Sequence, residues 1–264
     1  MRRSGVLWGI ILLLVGVVLL FSNLGVIAVE LWPAIWAILL IVLGLGVLWS
    51  AVSGPGGESE AVSVPLEGAG SARLRVRHGA GRLRIGAGAD PQALVEGTFG
   101  GGLNLRAQRK GDELDVEMSP LGFPDILTAW NWGREGLGWR IKLNDAIPLS
   151  LDIETGASDA HLDLSELRVM NLELETGASS VRVSLPARAG HTQARIQAGA
   201  ASVSMLVPSD VAARVRLEGG LASIEVDQSR FPRTGGVYRS PDYDTAQNRV
   251  DLKIEAGVGS VVVR

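Results

Sequence analysis

The chain has 264 residues, carries a formal charge of −3 and contains no cysteine. The near-neutral charge offers no general attraction to nucleic acid, and the lack of cysteine excludes disulfides, thiolate metal sites and cysteine nucleophiles. Glycine is abundant at 34 residues, whereas aromatic residues make up only 5% of the chain. This composition is typical of many short strands and tight corners rather than of a helix-rich enzyme.

Two long apolar stretches open the sequence. Gly5–Phe21 contains 17 residues without a charge, and Leu31–Trp49 contains another 19. Each is close to the length that crosses a hydrocarbon core of about 30 Å at about 1.5 Å per residue. The sequence therefore predicts a two-helix transmembrane region over residues 1–50. A cleaved signal peptide is the alternative for the first stretch, but no small-residue cleavage site clearly follows it.

The basic residues around these stretches indicate an orientation. Arg2 and Arg3 favour a cytoplasmic N-terminus, and the next basic residue after the second stretch is Arg73. If both stretches span, the C-terminal domain lies in the cytoplasm. If only one spans, or if the pair forms a re-entrant hairpin, the domain can face outward. The expected localisation is the cell membrane as a multi-pass protein with two helices, and the side of the domain stays open.

The sequence after the apolar stretches divides into a linker and a domain. Residues 51–65 are rich in Gly, Ser and Pro and are predicted to form a flexible linker, and residues 66–264 form the domain. Within the domain, Leu103–Met118 predicts a hairpin around Lys110-Gly111-Asp112. The segment Ser119–Trp139 follows with three of the seven tryptophans. It is predicted to be a loop packed over one end of the domain or a contact surface.

A strand–glycine–strand unit recurs six times in the domain. The central glycines are Gly79, Gly156, Gly177, Gly199, Gly220 and Gly257. Apolar residues stand five and three positions before each glycine and four and six positions after it, in alternation with polar residues. This alternation is typical of strands with one buried face. The last five glycines are spaced by 21, 22, 21 and 37 residues, so the final spacing contains an insertion, Ser229–Ala246. The insertion is predicted to be an exposed loop and a candidate cap.

A period near 21 residues with short strands predicts a solenoid, in which each coil stacks on the one before it. Equivalent residues then lie about 4.8 Å apart, and the apolar positions form interior ladders. The open ends are the weakness of this design, because an unpaired strand edge invites association. The chain stops at the strand Ser260–Val263 without a cap of its own. This strand is therefore predicted to pair with a partner edge by strand addition.

Several stretches of the sequence resemble those of a known family. GIILLLVGVVLLFSNLGVI and LWPAIWAILLIVLGLGVL are similar to the LiaI–LiaF-like transmembrane region. WRIKLNDAIPLSLDIETGAS, the strand-and-glycine units and the closing EAGVGSVVV resemble the toast-rack, or adhesin-like, domain of LiaF-like bacterial membrane proteins. The resemblance covers about residues 4–50 and 66–264. It implies an all-β fold, a right-handed single-stranded β-helix (solenoid) domain preceded by an α-helical transmembrane hairpin.

The same resemblance implies a role in the envelope-stress response, as the partner or inhibitor of a sensor histidine kinase, or in surface adhesion. The first hypothesis is a non-enzymatic, membrane-tethered solenoid that acts by protein contact in envelope-stress sensing or regulation. The second is an outward-facing, adhesin-like or structural module that binds a polymer or a cell-surface component. A third, an enzyme acting on polysaccharide, needs a groove lined with several carboxylates and basic residues, and the sequence does not assemble one.

The expected partners are the lipid bilayer and a membrane protein such as a sensor histidine kinase. No nucleic acid, small-molecule substrate or cofactor is expected, and no catalytic, cofactor-binding or metal-binding residue is predicted. No Gly-Lys-Ser/Thr phosphate loop, G-x-S-x-G or H-E-x-x-H pattern occurs in the sequence.

Titratable residues also recur at a fixed position within the repeat. The residues two positions before the last five glycines are Glu154, Glu175, Gln197, Glu218 and Glu255. One carboxylate per coil rarely supplies the six to eight oxygens that calcium needs, so this row is predicted to be solvated at the corners. His161 and Asp163 share the outer face of one strand, but no third group is spaced to join them as a metal ligand. His78 and His191 each stand alone beside glycine turns, and both are predicted to be surface residues.

The tryptophans of the segment Ser119–Trp139 are the remaining candidates for contact. Trp139 alternates with Ile141 and is predicted to lie in the core. Trp130 and Trp132 stand near Arg134, and this group is predicted to be either a packed cap or a rim that contacts a partner, a glycan or the membrane surface. The predicted contact residues are Trp130, Trp132, Arg134, Ser260, Val261, Val262 and Val263.

Overall fold

The structure is a computed structural model that describes residues 60–121 and 138–264. These residues belong to one compact unit, Pro55–Arg264, and contain fourteen strands and no α-helix, which confirms the predicted all-β class. The strands are β1 (Glu60–Pro65), β2 (Ser71–Ala87), β3 (Ala93–Phe99), β4 (Asn104–Lys110), β5 (Glu113–Ser119), β6 (Trp139–Leu143), β7 (Leu149–Asp163), β8 (Val169–Thr176), β9 (Ser180–Ser184), β10 (His191–Leu206), β11 (Ala212–Val226), β12 (Arg233–Thr234), β13 (Val237–Arg239) and β14 (Arg249–Val263).

Within the two described ranges, no helix has the length and apolar character needed to cross a membrane. The predicted transmembrane helices, residues 1–50, lie outside the described residues.

The six predicted units correspond to β2, to β7, to β8 and β9 together, to β10, to β11 and to β14. Strand β7 shows how each is built. Before Gly156 its buried residues are odd-numbered, and after Ala157 they are even-numbered. Two successive exposed residues, Gly156 and Ala157, therefore form a corner. The chain turns there, and the buried positions change from odd-numbered to even-numbered residues. Each unit thus contributes one strand to either side of a common core.

The units pair in parallel with equivalent positions opposite each other. Leu151 lies opposite Leu172, and Ala194 lies opposite the same Leu172 from the other side. The aliphatic ladders predicted from the repeat are buried: Ile153 and Leu162 are fully inaccessible to solvent. Burial of each such side chain contributes about 1.5–3 kcal/mol, so the ladders stabilise the stack.

The corner glycines stack in a column, because a side chain there would collide with the neighbouring coil. A Cβ atom on Gly156 would lie 2.3 Å from the carbonyl oxygen of Gly79, and one on Gly257 would lie 2.8 Å from that of Gly199. Gly79, at the start of the column, has open space at the same position. The repeat therefore requires glycine for the close approach of two backbones.

The order of the coils differs from the prediction that each coil stacks on the one before it. The C-terminal strand β14 lies between β10 and β11, and pairs in parallel with both along its length. β11 is therefore the last coil of the stack. The insertion, Ser229–Ala246, provides the chain length that carries β14 back past β11. A central position also gives the valine-rich end of the chain two paired edges.

The two ends of the stack are covered differently. At the N-terminal end, β5 pairs with the first half of β2 and β6 pairs with the second half. β4 completes the predicted hairpin with β5, while β3 and β1 extend the sheet beyond β6. This end, with both halves covered, is called the closed end below.

At the other end, only the first half of β11 is covered. β13 pairs with Arg214 and Val215, and β12 pairs with β13. The insertion also buries Phe231 and Tyr243 against this part of the domain, which confirms the prediction that it is a cap. Its Ser240 is buried as well, so the insertion is not an exposed loop throughout. This end is called the open end below.

The predicted linker is shorter than residues 51–65. Residues 60–65 form β1, which pairs antiparallel with β3. Val64 is buried, because Val62 and Val64 alternate with polar residues and so present one face to the core.

Candidate functional site

The strand Ser260–Val263 is not a free edge, contrary to the prediction. Ser260 lies opposite Ser202 on one side and Ser223 on the other, and Val263 is paired on both sides in the same way. Strand addition at this segment is therefore wrong for this fold, because its backbone groups are already used in the ladder. The prediction that Ser260, Val261, Val262 and Val263 form a free contact strand is therefore withdrawn. The other predicted contact residues, Trp130, Trp132 and Arg134, lie outside the described residues.

The free edge belongs to β11 instead. Its second half, Leu221–Val226, pairs with β14 on one side and has no strand on the other among the described residues. We call this segment the open edge. Leu221 is 84% exposed and Ile224 is 39% exposed, although the position of Ile224 in the repeat is that of a buried ladder residue. The open edge therefore presents apolar side chains together with unpaired backbone groups.

Three other strands of the described residues are also edges, and each carries a feature that discourages pairing. β1 ends in Pro65, which cannot donate a backbone hydrogen bond. β4 carries Arg106, Arg109 and Lys110, and charged side chains protect sheet edges in natural proteins. β12 contains only two residues. By contrast, the open edge has a single charged residue, Glu225, in six.

A groove runs along the glycine column beside the open edge. Its volume is about 1120 Å³, and the predicted row of polar residues lines it over all six coils. In the order of the stack, this row is Arg77, Glu154, Glu175, Gln197, Glu255 and Glu218. The row is a surface feature of the corners, as predicted, and the groove makes it continuous.

Positively charged side chains form ion pairs with the carboxylates at both ends of this row. Arg77 lies 3.3 Å from Glu154 and 3.2 Å from Glu117. Lys253 lies 2.7 Å from Glu255 and 3.4 Å from Glu218, and these two contacts raise the pKa of Lys253. Lys253 in turn lowers the pKa of the Glu255 carboxyl. In residues 60–121 and 138–264, no three His, Asp or Glu side chains come together as metal ligands would.

A second polar cluster joins the cap to the last three coils of the stack. Asp251 accepts hydrogen bonds from His191 at 2.9 Å and from Arg214 at 2.5 Å. Burial alone would raise the pKa of Asp251, but the hydrogen bonds from Arg214, His191 and Tyr243 lower it below its ordinary value. Burial, and then the hydrogen bond with Asp251, raises the pKa of Tyr243. The cluster holds β10, β14 and β11 in register beneath the cap.

Both histidines that were predicted to be isolated surface residues have structural roles. His191 joins the Asp251 cluster, and His78 is buried with its ring 5.2 Å from that of Trp139. Trp139 is in the core, as predicted, and its indole donates a hydrogen bond to the carbonyl oxygen of Gly100. Neither contact was predictable from the sequence, since the partners lie about 60 residues away along the chain.

Comparison with known families gives two matches. The profile of the toast-rack N-terminal domain (DUF2154) matches residues 53–206, which is more than half of the chain. The profile of the LiaI-LiaF-like transmembrane region matches residues 6–48. No curated protein matches the sequence.

Comparison with solved structures gives two matches. A "putative cell adhesion protein" from Clostridium sporogenes has a TM-score of 0.69 and 21% sequence identity, and the match covers 79% of this chain and 99% of that one. This likeness concerns the fold. A "putative adhesin" from Bacteroides fragilis matches with a TM-score of 0.32 and 8% identity, over 80% of this chain and 99% of that one.

Proposed function

The chain belongs to the toast-rack family and carries a LiaI-LiaF-like membrane region, and from this we propose that it acts by protein contact in the sensing or regulation of cell-envelope stress. The family and the fold are those of a membrane-anchored, non-enzymatic domain. The proposed partner is a membrane protein, of which a sensor histidine kinase is the leading candidate. We also propose that both apolar stretches span the membrane as a helical hairpin, and that the stack winds in the right-handed sense common to parallel crossovers.

The observation that supports protein contact is the open edge. A strand from another chain can extend the sheet there, using the unpaired backbone groups for affinity and the exposed side chains for specificity. The edge replaces Ser260–Val263 as the proposed contact strand. Its apolar side chains Leu221 and Ile224 would lose contact with water in such a complex.

The substitution Ile224→Lys tests this role in the full-length protein. A lysine on the inner face of an edge strand discourages pairing and leaves the other coils untouched. We expect a bacterium that carries this variant to lose the normal transcriptional response to a cell-wall antibiotic, to the extent that a deletion strain loses it. The matched control is Leu206→Lys, because Leu206 is 53% exposed but lies in β10, where both edges are paired.

A normal response in the Ile224→Lys strain would remove the open edge as the functional site. An equal defect in both lysine variants, with equal amounts of protein in the membrane, would mean that general surface change and not the edge is responsible.

A second function, the binding of an extended polymer by an outward-facing domain, is favoured by the groove along the glycine column. Topology separates the two functions. Thr234 is exposed in β12, so Thr234→Cys gives one reporter in a chain without cysteine, whereas Ser240 is too buried to serve. Labelling by an impermeant maleimide only after lysis would place the domain in the cytoplasm and remove the polymer-binding function. Labelling of intact cells would place it outside and mean that only one stretch spans or that the pair forms a re-entrant hairpin.

A further inference from the structure

Resting on the proposed contact role of the open edge, we propose that the edge pairs with the same edge of a second copy of this chain. The two strands run antiparallel and are centred on Ser223, which lies opposite its own equivalent. The contact is isologous, so it closes on itself as a dimer and does not extend into a filament.

The length of the free strand limits the choice of centre. The strand is limited on one side by the corner at Gly219–Gly220, and on the other by the turn that begins at Asp227, whose carbonyl oxygen accepts a hydrogen bond from the backbone nitrogen of Phe231. The six residues of the open edge, 221–226, are left for pairing. A centre at Ser223 or at Ile224 uses five of them, whereas a centre at Glu225 uses only three.

The side chains of the segment complement their own equivalents in this arrangement. On the core side, the small Ala222 lies opposite the large Ile224 of the other copy, twice, so the interior ladder continues across the contact. On the outer side, Ser223 meets Ser223. Glu225 lies opposite Leu221, whereas a centre at Glu225 would set two carboxylates against each other. Of the two centres that use five residues, Ser223 is the one that sets the small Ala222 against the large Ile224, because a centre at Ile224 would set Ile224 against its own equivalent.

The other edges of the described residues do not offer this self-complementarity. An antiparallel pair of β4 strands would bring Arg106, Arg109 and Lys110 together with their equivalents, and like charges directly opposite each other are destabilising. At β1, Pro65 removes a donor from the pairing. The open edge is therefore the place among the described strands where two copies can join without a charge or donor penalty.

The expected dimer is weak in free solution and stronger in the membrane. A pair of strands with five residues each buries less than the roughly 800 Å² per partner of a standard stable interface. Anchored copies share a plane, however, and confinement of this kind raises the effective concentration of one edge near another. The population of the dimer should therefore rise with the density of the protein in the membrane.

Ser223→Cys in the full-length chain tests the proposal, because the native chain has no cysteine. Residues directly opposite in an antiparallel pair have Cβ atoms about 4.5–5.5 Å apart, close enough for a disulfide after a small adjustment. We expect a disulfide-linked dimer when membranes are treated with a mild oxidant. The matched control is Ser202→Cys, an exposed residue in the same row of the repeat, whose strand β10 has both edges paired. Adding Ile224→Lys to Ser223→Cys should abolish the dimer.

A dimer at Ser223 that exceeds that at Ser202 and is lost with Ile224→Lys supports the proposal. Equal cross-linking at both serines, or none at Ser223, overturns it. Absence of the Ser223 dimer together with a defective envelope response in the Ile224→Lys strain would mean that the edge contacts another protein, so the proposed function would stand without self-pairing. If the Ser223 dimer is absent and the Ile224→Lys strain responds normally, both the self-pairing and the proposed function are wrong.

Discussion

The closed end and the open end of the stack begin from the same repeat but meet solvent in different ways. At the closed end, β2 is covered along both halves, and its neighbours bring aromatic side chains such as Trp139 and Phe99 into the core. At the open end, the cap covers only the first half of β11, and Ile224 remains partly exposed at a ladder position. The difference indicates that one end serves stability and the other is available for contact.

The largest effect is expected from damage to the closed end. Trp139→Ala removes a buried indole and its hydrogen bond to Gly100, and should lower the free energy of unfolding by about 3–5 kcal/mol. Leu221→Ala at the open end should change it by no more than about 0.5 kcal/mol, because Leu221 is exposed. Thermal unfolding of the purified full-length variants in detergent measures both. Similar losses for the two would contradict the division of roles.

The glycine column predicts the next largest effect. Each corner Cβ would point at the preceding coil, so Gly156→Ala forces a methyl group against the carbonyl oxygen of Gly79 and should cost about 3 kcal/mol. Gly79→Ala is the matched control, since nothing lies within 4 Å of its Cβ position. Resistance of the folded chain to proteolysis would compare them. Equal stability of the two variants would show that the column tolerates side chains.

The Asp251 cluster, in the covered half of the open end, should make the free energy of unfolding depend on pH. The folded pKa of Asp251 lies below its ordinary value of 3.8, so its stabilising contribution is present above pH 3.8 and is lost as the pH falls through the folded value. Asp251→Asn should cost about 2 kcal/mol at pH 7, since charge-assisted hydrogen bonds are removed. The difference from the native chain should shrink below pH 3.8. Unfolding measured across the acid range checks this, and a difference that stays constant with pH would contradict it.

The smallest effect on stability is expected at the open edge itself. Ile224→Lys should change the free energy of unfolding by about 0.5 kcal/mol or less, because Ile224 is already partly exposed. The same change should reduce association of the protein at high concentration, which light scattering on detergent-solubilised protein measures. A loss of stability comparable to that of Trp139→Ala would mean that the edge belongs to the core and is not a contact surface.

The repeat is the part of the fold that the sequence predicts well. Alignment on the glycines placed Leu151 opposite Leu172 and identified the interior ladders, because both depend on a local alternation that burial enforces. The hairpin around Gly111 and the cap in the 37-residue spacing were also predictable, since turn residues and a break in the period are visible in the sequence.

The open edge was not predictable in the same way. Every unit carries the same pattern of apolar residues. The local sequence therefore does not show whether β11 or β14 pairs with β10. The long spacing before Gly257 indicates an insertion but not the direction in which the chain returns. As a result, the final strand was assigned the free edge that in fact belongs to Leu221–Val226. The contacts of His78 and His191 escaped notice for a related reason, because their partners come from distant parts of the chain.

The place of β14 also bears on how the protein is made. During synthesis β7, β8, β9 and β10 can join the growing stack in the order in which they leave the ribosome. β11 follows them, but its neighbour β14 comes later in the chain, so β11 leaves the ribosome before its ladder partner is made. Exposed strand edges of this kind are prone to misassembly. The stack is thus complete only after β14 has inserted between β10 and β11, which makes a chain truncated before Arg249 a natural target for quality-control proteases.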